Sequence, residues 1–196
     1  MGFGEVPQDM ETLEIQSPLP RAVVFGHRLS NAILATIHDR PTLLYKHHYK
    51  AVNWVLDQTA CRLADFIQSR GCAALPIPAS QTIDWSKKRG HLSHKRLALE
   101  AGLGFRGRNG LLIHPEFGAG VRYVSVLTDM NFSPDEKTEG SCGACRKCLP
   151  ACPAGAIGET GCDLDKCLEK LKEFAKIRGI AQYICGVCVR VCDGER

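Results

Sequence analysis

No stretch of the 196-residue chain is apolar for long enough to cross a membrane. The first residues have neither the basic start nor the apolar core of a signal peptide. These two absences exclude a membrane span and argue against an oxidising compartment, so a cytoplasmic protein with reduced thiols is expected. Aromatic residues make up only 7% of the chain. They are sparse where the basic residues gather, which weighs against base stacking as a function. Lysine and arginine (25) barely outnumber aspartate and glutamate (21), giving +4 overall. No internal repeat is visible outside the cysteine runs, and nothing is low-complexity.

What the chain has in quantity is cysteine. Nine of its eleven cysteines lie at or beyond residue 142. Cys142, Cys145, Cys148 and Cys152, followed by Pro153, form the C-x2-C-x2-C-x3-C-P run of bacterial [4Fe–4S] proteins, whose fourth cysteine ligates the other cluster in two-cluster versions. Two-residue gaps let three thiolates converge on one cubane, and Pro153 turns the chain away. Two plainer readings compete. Disulfides need an oxidising compartment. Structural zinc uses C-x2-C pairs but four ligands per site, which does not explain a four-cysteine run ending in C-P plus a second run at Cys185, Cys188 and Cys192. Two [4Fe–4S] clusters need eight thiolates. Cys142, Cys145 and Cys148 belong to cluster 1, and Cys185 and Cys188 to cluster 2. The crossover assigns Cys152 to cluster 2 and Cys192 to cluster 1. The eighth ligand is Cys162 or Cys167. Cys167, expected on the apolar face of a helix with Leu164, Leu168 and Leu171, is favoured over Cys162, which follows the Gly161 turn and can point to solvent.

Upstream, residues 1–20 read as an acidic, proline-bearing irregular leader. Residues 21–26 read as a buried strand, and residues 48–70 as a helix with Val52, Val55, Leu56, Leu63 and Ile67 at helical spacing. Cys61 and Cys72 read as small buried hydrophobes. Residues 72–78 suit an edge strand, where prolines are tolerated. Ser93 caps a helix that Gly102 ends; residues 111–113 and 121–128 read as strands, and 129–141 as a linker. Asp163 or Asp165 opens a last helix running to Arg178. The division expected is a leader (1–20), an α+β cofactor, substrate or docking domain (21–130) and a two-cluster domain (131–196).

Gly102-Leu103-Gly104-Phe105-Arg106-Gly107 matches G-x-G-x-x-G, but a helix precedes it and a strand follows. That order is the reverse of a dinucleotide-binding fingerprint. The surrounding stretch carries Lys87, Lys88, Arg89, Lys95, Arg96, Arg106 and Arg108 against Glu100 alone. It is either a solvated basic face or a seat for an anionic group or RNA.

The segment from Ser93 to Gly118, with Val124 to Asp129 and the Asp163-Leu164-Asp165-Lys166-Cys167-Leu168 stretch before C-x2-C-x3-C, resembles epoxyqueuosine reductases and, more distantly, reductive dehalogenases. The resemblance covers about residues 21–192. It implies an abbreviated nitroreductase-like, cobalamin-binding α/β sandwich followed by a bacterial ferredoxin-like module, and it supports Cys167 as ligand. By the resemblance, Gly102, Gly104, Arg106, Gly107 and Arg108 cover a cobalamin, which receives electrons from the clusters. Tyr49, in His48-Tyr49-Lys50, matches a family segment that lines the site. The family's acidic proton donor has no counterpart in Leu75 to Ser80, so Asp84 is the nearest carboxylate. The helical repeats that help the family hold tRNA are missing, which weighs against tRNA and leaves a small molecule or modified nucleoside as substrate. No Asp-x-His-x-x-Gly segment is present to hold a corrinoid through a protein histidine. The function expected is an iron–sulfur oxidoreductase supplied by a low-potential redox partner; the alternatives are a ferredoxin-like electron carrier without corrinoid and an RNA-binding module.

Overall fold

The computed structural model describes residues 1–16, 19–86 and 89–194. The chain forms two compact units, both discontinuous: Met1–His27, Val52–Gly104 and Arg122–Thr138 make the first, and Arg28–Ala51, Phe105–Val121 and Glu139–Arg196 the second. Residues 28–51 and 105–121, expected in one domain with the sheet, therefore belong to the cysteine-bearing unit. The reason is packing: Phe105 lies against the backbone of Gly140, and Tyr45 against Gly186.

The first unit is built on a four-stranded sheet of β1 (Gly2–Glu5), β2 (Arg21–Arg28), β6 (Val121–Thr128) and β3 (Ala74–Ile77), in the order β1-β2-β6-β3. β1 is antiparallel to β2 with Phe3 opposite Val23, and β3 is antiparallel to β6 with Pro76 opposite Val126. Pro76 is tolerated because β3 is an edge strand, as expected. β6 departs from the expected alternation. Its residues Tyr123 to Thr128 are all buried, as suits an interior strand covered on both faces.

β1 corrects the expectation of an irregular leader. Residues 2 and 4 point to one side of the strand, and both are glycines pressed against Glu100 and Ala101. These residues end α3 (His94–Glu100) and form its cap. Side chains at positions 2 and 4 would hold the helix off, so the glycines that disguise the strand in the sequence are what lets it pack. α3 itself follows its signals. The Ser93 hydroxyl accepts the Arg96 N–H at 3.3 Å. Gly102, at φ +65, ends it in a Schellman arrangement, with Leu103 N–H donating to Ala98 O at 2.9 Å and Gly102 N–H to Leu99 O at 3.2 Å.

α2 (Leu43–Ser69) starts five residues before its expected beginning, because the Thr42 hydroxyl accepts the Tyr45 N–H at 3.1 Å. Val52, Leu56, Ala60, Ala64 and Ile67 form its buried stripe. Val55 and Cys61 lie roughly a third of a turn from the stripe's centre at 3.6 residues per turn, and both are exposed. Cys61 is therefore not the buried hydrophobe expected, and Cys72 is half-buried. Among the described residues no helix is long and apolar enough to cross a membrane.

The second unit holds the start of α2, α1 (Asn31–Leu34), a hairpin of β4 (Phe105–Arg106) and β5 (Leu112–Ile113), and the short helices α4 (Cys148–Ala151) and α6 (Val187–Arg190). Its longest helix after α2 is α5 (Leu164–Ala175), which Asp163 caps by accepting the Asp165 and Lys166 N–H groups at 3.0 and 3.1 Å.

Candidate metal centre

None of the eleven cysteines is in a disulfide. The nine downstream ones gather in the second unit. Burial raises the pKa of Cys148, and the thiols of Cys192, Cys142 and Cys145 add to the effect. Burial likewise pushes Cys192 up, with Cys142 and Cys145 again beside it. Cys188 is raised furthest, by burial and then by Cys185, Cys167, Cys152 and Cys148. The thiols thus fall into two neighbourhoods, one of Cys142, Cys145, Cys148 and Cys192, the other of Cys152, Cys162, Cys167, Cys185 and Cys188. Cys148 and Cys188 sense each other across the boundary.

Crowded, half-buried thiols disfavour the thiolate, which a bound cation restores. Two backbone N–H groups already point at sulfur: Arg108 donates to Cys142 Sγ at 3.5 Å and Ala156 to Cys152 Sγ at 3.4 Å. Such bonds to sulfur are among the terms that set a cluster's potential. Crowded cysteine thiols with N–H groups aimed at sulfur are donors of the kind that thiolate-ligated iron uses. Among the described residues no three His, Cys, Asp or Glu side chains form a single-ion site.

Three glycines let the cysteine runs meet the rest of the unit. Gly186 (φ +86), between Cys185 and Cys188, lies where a Cβ would come within 2.7 Å of Ile37 and of the Tyr45 ring. Gly118 (φ +58) lies under the Cys192 carbonyl, and Gly110 faces Cys162. Lys147 adds an ion pair to Asp193 at 3.1 Å, tying the neighbours of Cys148 and Cys192 together, although the exposure of both makes its contribution small.

Cys162 is not turned to solvent as expected. It is half-buried beside Cys167, with which it shares a hydrogen bond, and near Cys152; burial is the first cause of its raised pKa. Of the residues expected on the buried face of α5, Leu164 is 59% exposed, while Phe174 is buried.

Arg108 stands apart from its expected role. Its Nη1 donates to Cys145 O at 2.8 Å, its Nη2 to Gly143 O at 2.9 Å and its Nε to Glu159 O at 3.0 Å. The guanidinium is spent on the loop of the first cysteine run. Gly107 is closed in by Ile113 and Asn109, and Gly102 by the Glu136 carbonyl. Gly104 has φ +151, and Arg106 is exposed on β4. In the first unit Arg89 pairs with Glu11, and Arg96 with Asp9 at 2.5 Å. Part of the basic stretch is thus neutralised by acids of the leading segment; Lys87 and Lys88 lie outside the described residues. Asp84 accepts from Ser86 N–H at 2.8 Å and from its hydroxyl at 2.6 Å, closing a turn. Tyr49 is half-buried, edge-on to Tyr45 with centroids 6.1 Å apart.

Sequence reasoning missed the Arg108 clamp because a polar fork on backbone carbonyls leaves no motif. It also missed His94, half-buried with Nδ1 2.9 Å from Ser125 Oγ and Nε2 2.8 Å from Pro78 O.

No family model matches the chain. It is similar to the epoxyqueuosine reductase of Bacillus subtilis (strain 168), 30% identical over 181 residues, which is 87% of this chain and 45% of that protein. A solved epoxyqueuosine reductase, with a tRNA-Tyr epoxyqueuosine-modified stem loop, aligns with 26% identity and a TM-score of 0.58, over 88% of this chain and 47% of that one. A catabolic reductive dehalogenase in complex with 3-bromo-4-hydroxybenzoic acid aligns with a TM-score of 0.77 and 19% identity over 100% of this chain and 29% of its own. The fold is therefore the mixed α/β class that epoxyqueuosine reductases and reductive dehalogenases share. By sequence the chain is epoxyqueuosine reductase-like. It spans less than half the length of the curated relatives it matches.

Proposed function

We propose that the chain is the iron–sulfur-bearing part of a reductase, with cluster 1 on Cys142, Cys145, Cys148 and Cys192, and cluster 2 on Cys152, Cys167, Cys185 and Cys188. The observation that carries this reading is the sorting of the thiols into two neighbourhoods, with Cys152 and Cys192 each crossing to the set opposite its own run. When bound, the clusters supply single electrons at low potential. The chain's own part is to hold the thiolates, bring the two sets side by side through Cys148 and Cys188, and aim the Arg108 and Ala156 N–H groups at sulfur.

The reading extends to a nitroreductase-like first unit, a ferredoxin-like second unit and a corrinoid acceptor, by likeness to the epoxyqueuosine reductases. The glycine-rich hairpin does not fit as the corrinoid's seat. Gly102 and Gly107 are filled by neighbouring atoms and Arg108 is committed elsewhere, so no step is assigned through it. A modified nucleoside in tRNA is the proposed substrate class, on the likeness to the reductase solved with a tRNA stem loop. The sequence alone weighed against tRNA; this likeness supports it.

Anaerobic reconstitution tests the reading: about eight iron and eight sulfide per chain are expected for two cubanes, with a reducible [4Fe–4S] resonance. Four iron, or stoichiometric zinc in protein prepared without oxygen, would sink it. Anaerobic titration with cobalamin tests the acceptor separately: a shift in its spectrum would place a corrinoid seat away from the glycine-rich hairpin. No shift at high cobalamin would leave the chain as an electron carrier.

A further inference from the structure

We infer that Arg108 is the positioning residue of cluster 1: its side chain holds the Cys142–Cys145 loop in its ligating shape, and its own peptide N–H reaches the Cys142 sulfur. The inference rests on the two-cluster reading above.

The geometry is that of a fork. Gly143 and Cys145 present their carbonyls to the two terminal nitrogens of one guanidinium, at 2.9 and 2.8 Å, while Nε takes the Glu159 carbonyl at 3.0 Å. Charge-assisted bonds of this kind are about twice as strong as neutral ones, and a planar guanidinium fixes both carbonyls in one plane. The Arg108 side chain is only 17% exposed, so water cannot readily replace it. Because each peptide is planar with its C=O and N–H opposed, fixing the Gly143 and Cys145 carbonyls turns the Ala144 and Arg146 N–H groups away from the guanidinium.

The loop has little else to hold it. Gly143 is at φ +47 with nothing within 4 Å of the place a Cβ would occupy. Cys145 N–H donates back to Cys142 O at 2.9 Å, a bond within the loop. Outside the loop, Glu159 is gripped twice, by Arg108 at 3.5 Å and by Arg146 Nε at 2.6 Å, and Arg146 also donates to Ala144 O at 2.7 Å. Arg108 is placed for this by the β4–β5 hairpin. Gly107 N–H donates to Leu111 O at 2.9 Å, and Asn109 Oδ1 accepts the Leu111 N–H at 3.1 Å, closing the turn under the loop. The residues from Gly107 to Leu111 thus form a bracket for the first cysteine run.

The test compares wild type, Arg108→Ala and Arg108→Lys after anaerobic reconstitution. Iron, sulfide and the rate of iron release to a chelator are measured, together with the electron resonance of each cluster. Wild type should carry about eight iron; a wild type that does not would fail the cluster reading itself, before any variant is considered. With wild type loaded, Arg108→Ala should lose iron from one cluster about tenfold faster or bind only about four iron, while the cluster 2 resonance stays and reports a folded chain. Arg108→Lys keeps the charge but not the planar fork, so it should also release faster than wild type. Wild-type loading and release in Arg108→Ala would overturn the inference. So would full recovery by lysine, which would show that charge alone suffices.

Discussion

Gly118 lies directly beneath the carbonyl of Cys192. At φ +58 its backbone is in the left-handed region, and a Cβ there would run into the Cys192 oxygen and the Gly194 nitrogen. The next residue, Ala119, donates its N–H to that same carbonyl at 3.3 Å. The segment from Cys192 to Gly194 is therefore seated on residues 118 and 119, and the Cys192 thiol lies by Cys142, Cys145 and Cys148.

Gly118→Ala should accordingly do two things. It should lower thermal stability by roughly 1–3 kcal/mol, the cost of a strained left-handed residue. It should also weaken cluster 1, because the overlap is with backbone and only a shift of Cys192 relieves it. Melting curves and iron content check both; an alanine variant with full iron would show that the seat is dispensable.

Cys167→Ala should reduce the iron content to about half, from about eight to about four per chain, whereas Cys162→Ala should leave it unchanged. The contrast is sharp because the two thiols are neighbours. Iron retained in Cys167→Ala and lost in Cys162→Ala would exchange their roles.

Gly4→Val should destabilise the protein by about 1–3 kcal/mol, as overpacking does. A Cβ at residue 4 already lies 3.0 Å from the Ala101 nitrogen and 3.1 Å from the Glu100 carbonyl carbon. The rest of a valine has to push α3 away from β1. A melting temperature equal to wild type would mean that α3 is not packed on this strand.

Acid should destabilise the first unit through His94. Burial holds its pKa below the ordinary value; the Pro78 carbonyl opposes this, Arg122 and His91 push the same way as burial, and Asp57 opposes. The unfolded chain then binds a proton that the native state refuses. The stabilisation is complete above the unfolded value of about 6.5 and is lost as pH falls from there toward the folded value. Melting temperature should drop as pH falls below about 6.5, and His94→Gln should flatten that slope. An unchanged slope in the variant would remove His94 as the cause.

The sequence by itself determined where the cysteines crowd and several of the local structures. Cysteine spacing marked the thiols proposed above as ligands, because two-residue gaps act over a few bonds and survive any tertiary context. The Ser93 and Gly102 signals bounded α3, the Asp163 signal opened α5, and Pro76 announced an edge strand, each through a backbone constraint internal to its own segment. Tertiary structure alone decided what lay between segments. It made a strand of Gly2 to Glu5, since the glycines there serve a helix nearly a hundred residues away. It turned Cys162 toward Cys167 and spent Arg108 on the carbonyls of Gly143 and Cys145. A guanidinium offers the same donors to an anion, to water or to a loop of its own chain. Which of these it meets is set by the fold that brings residues 108 and 143 together, and no periodicity or spacing in the sequence records that meeting.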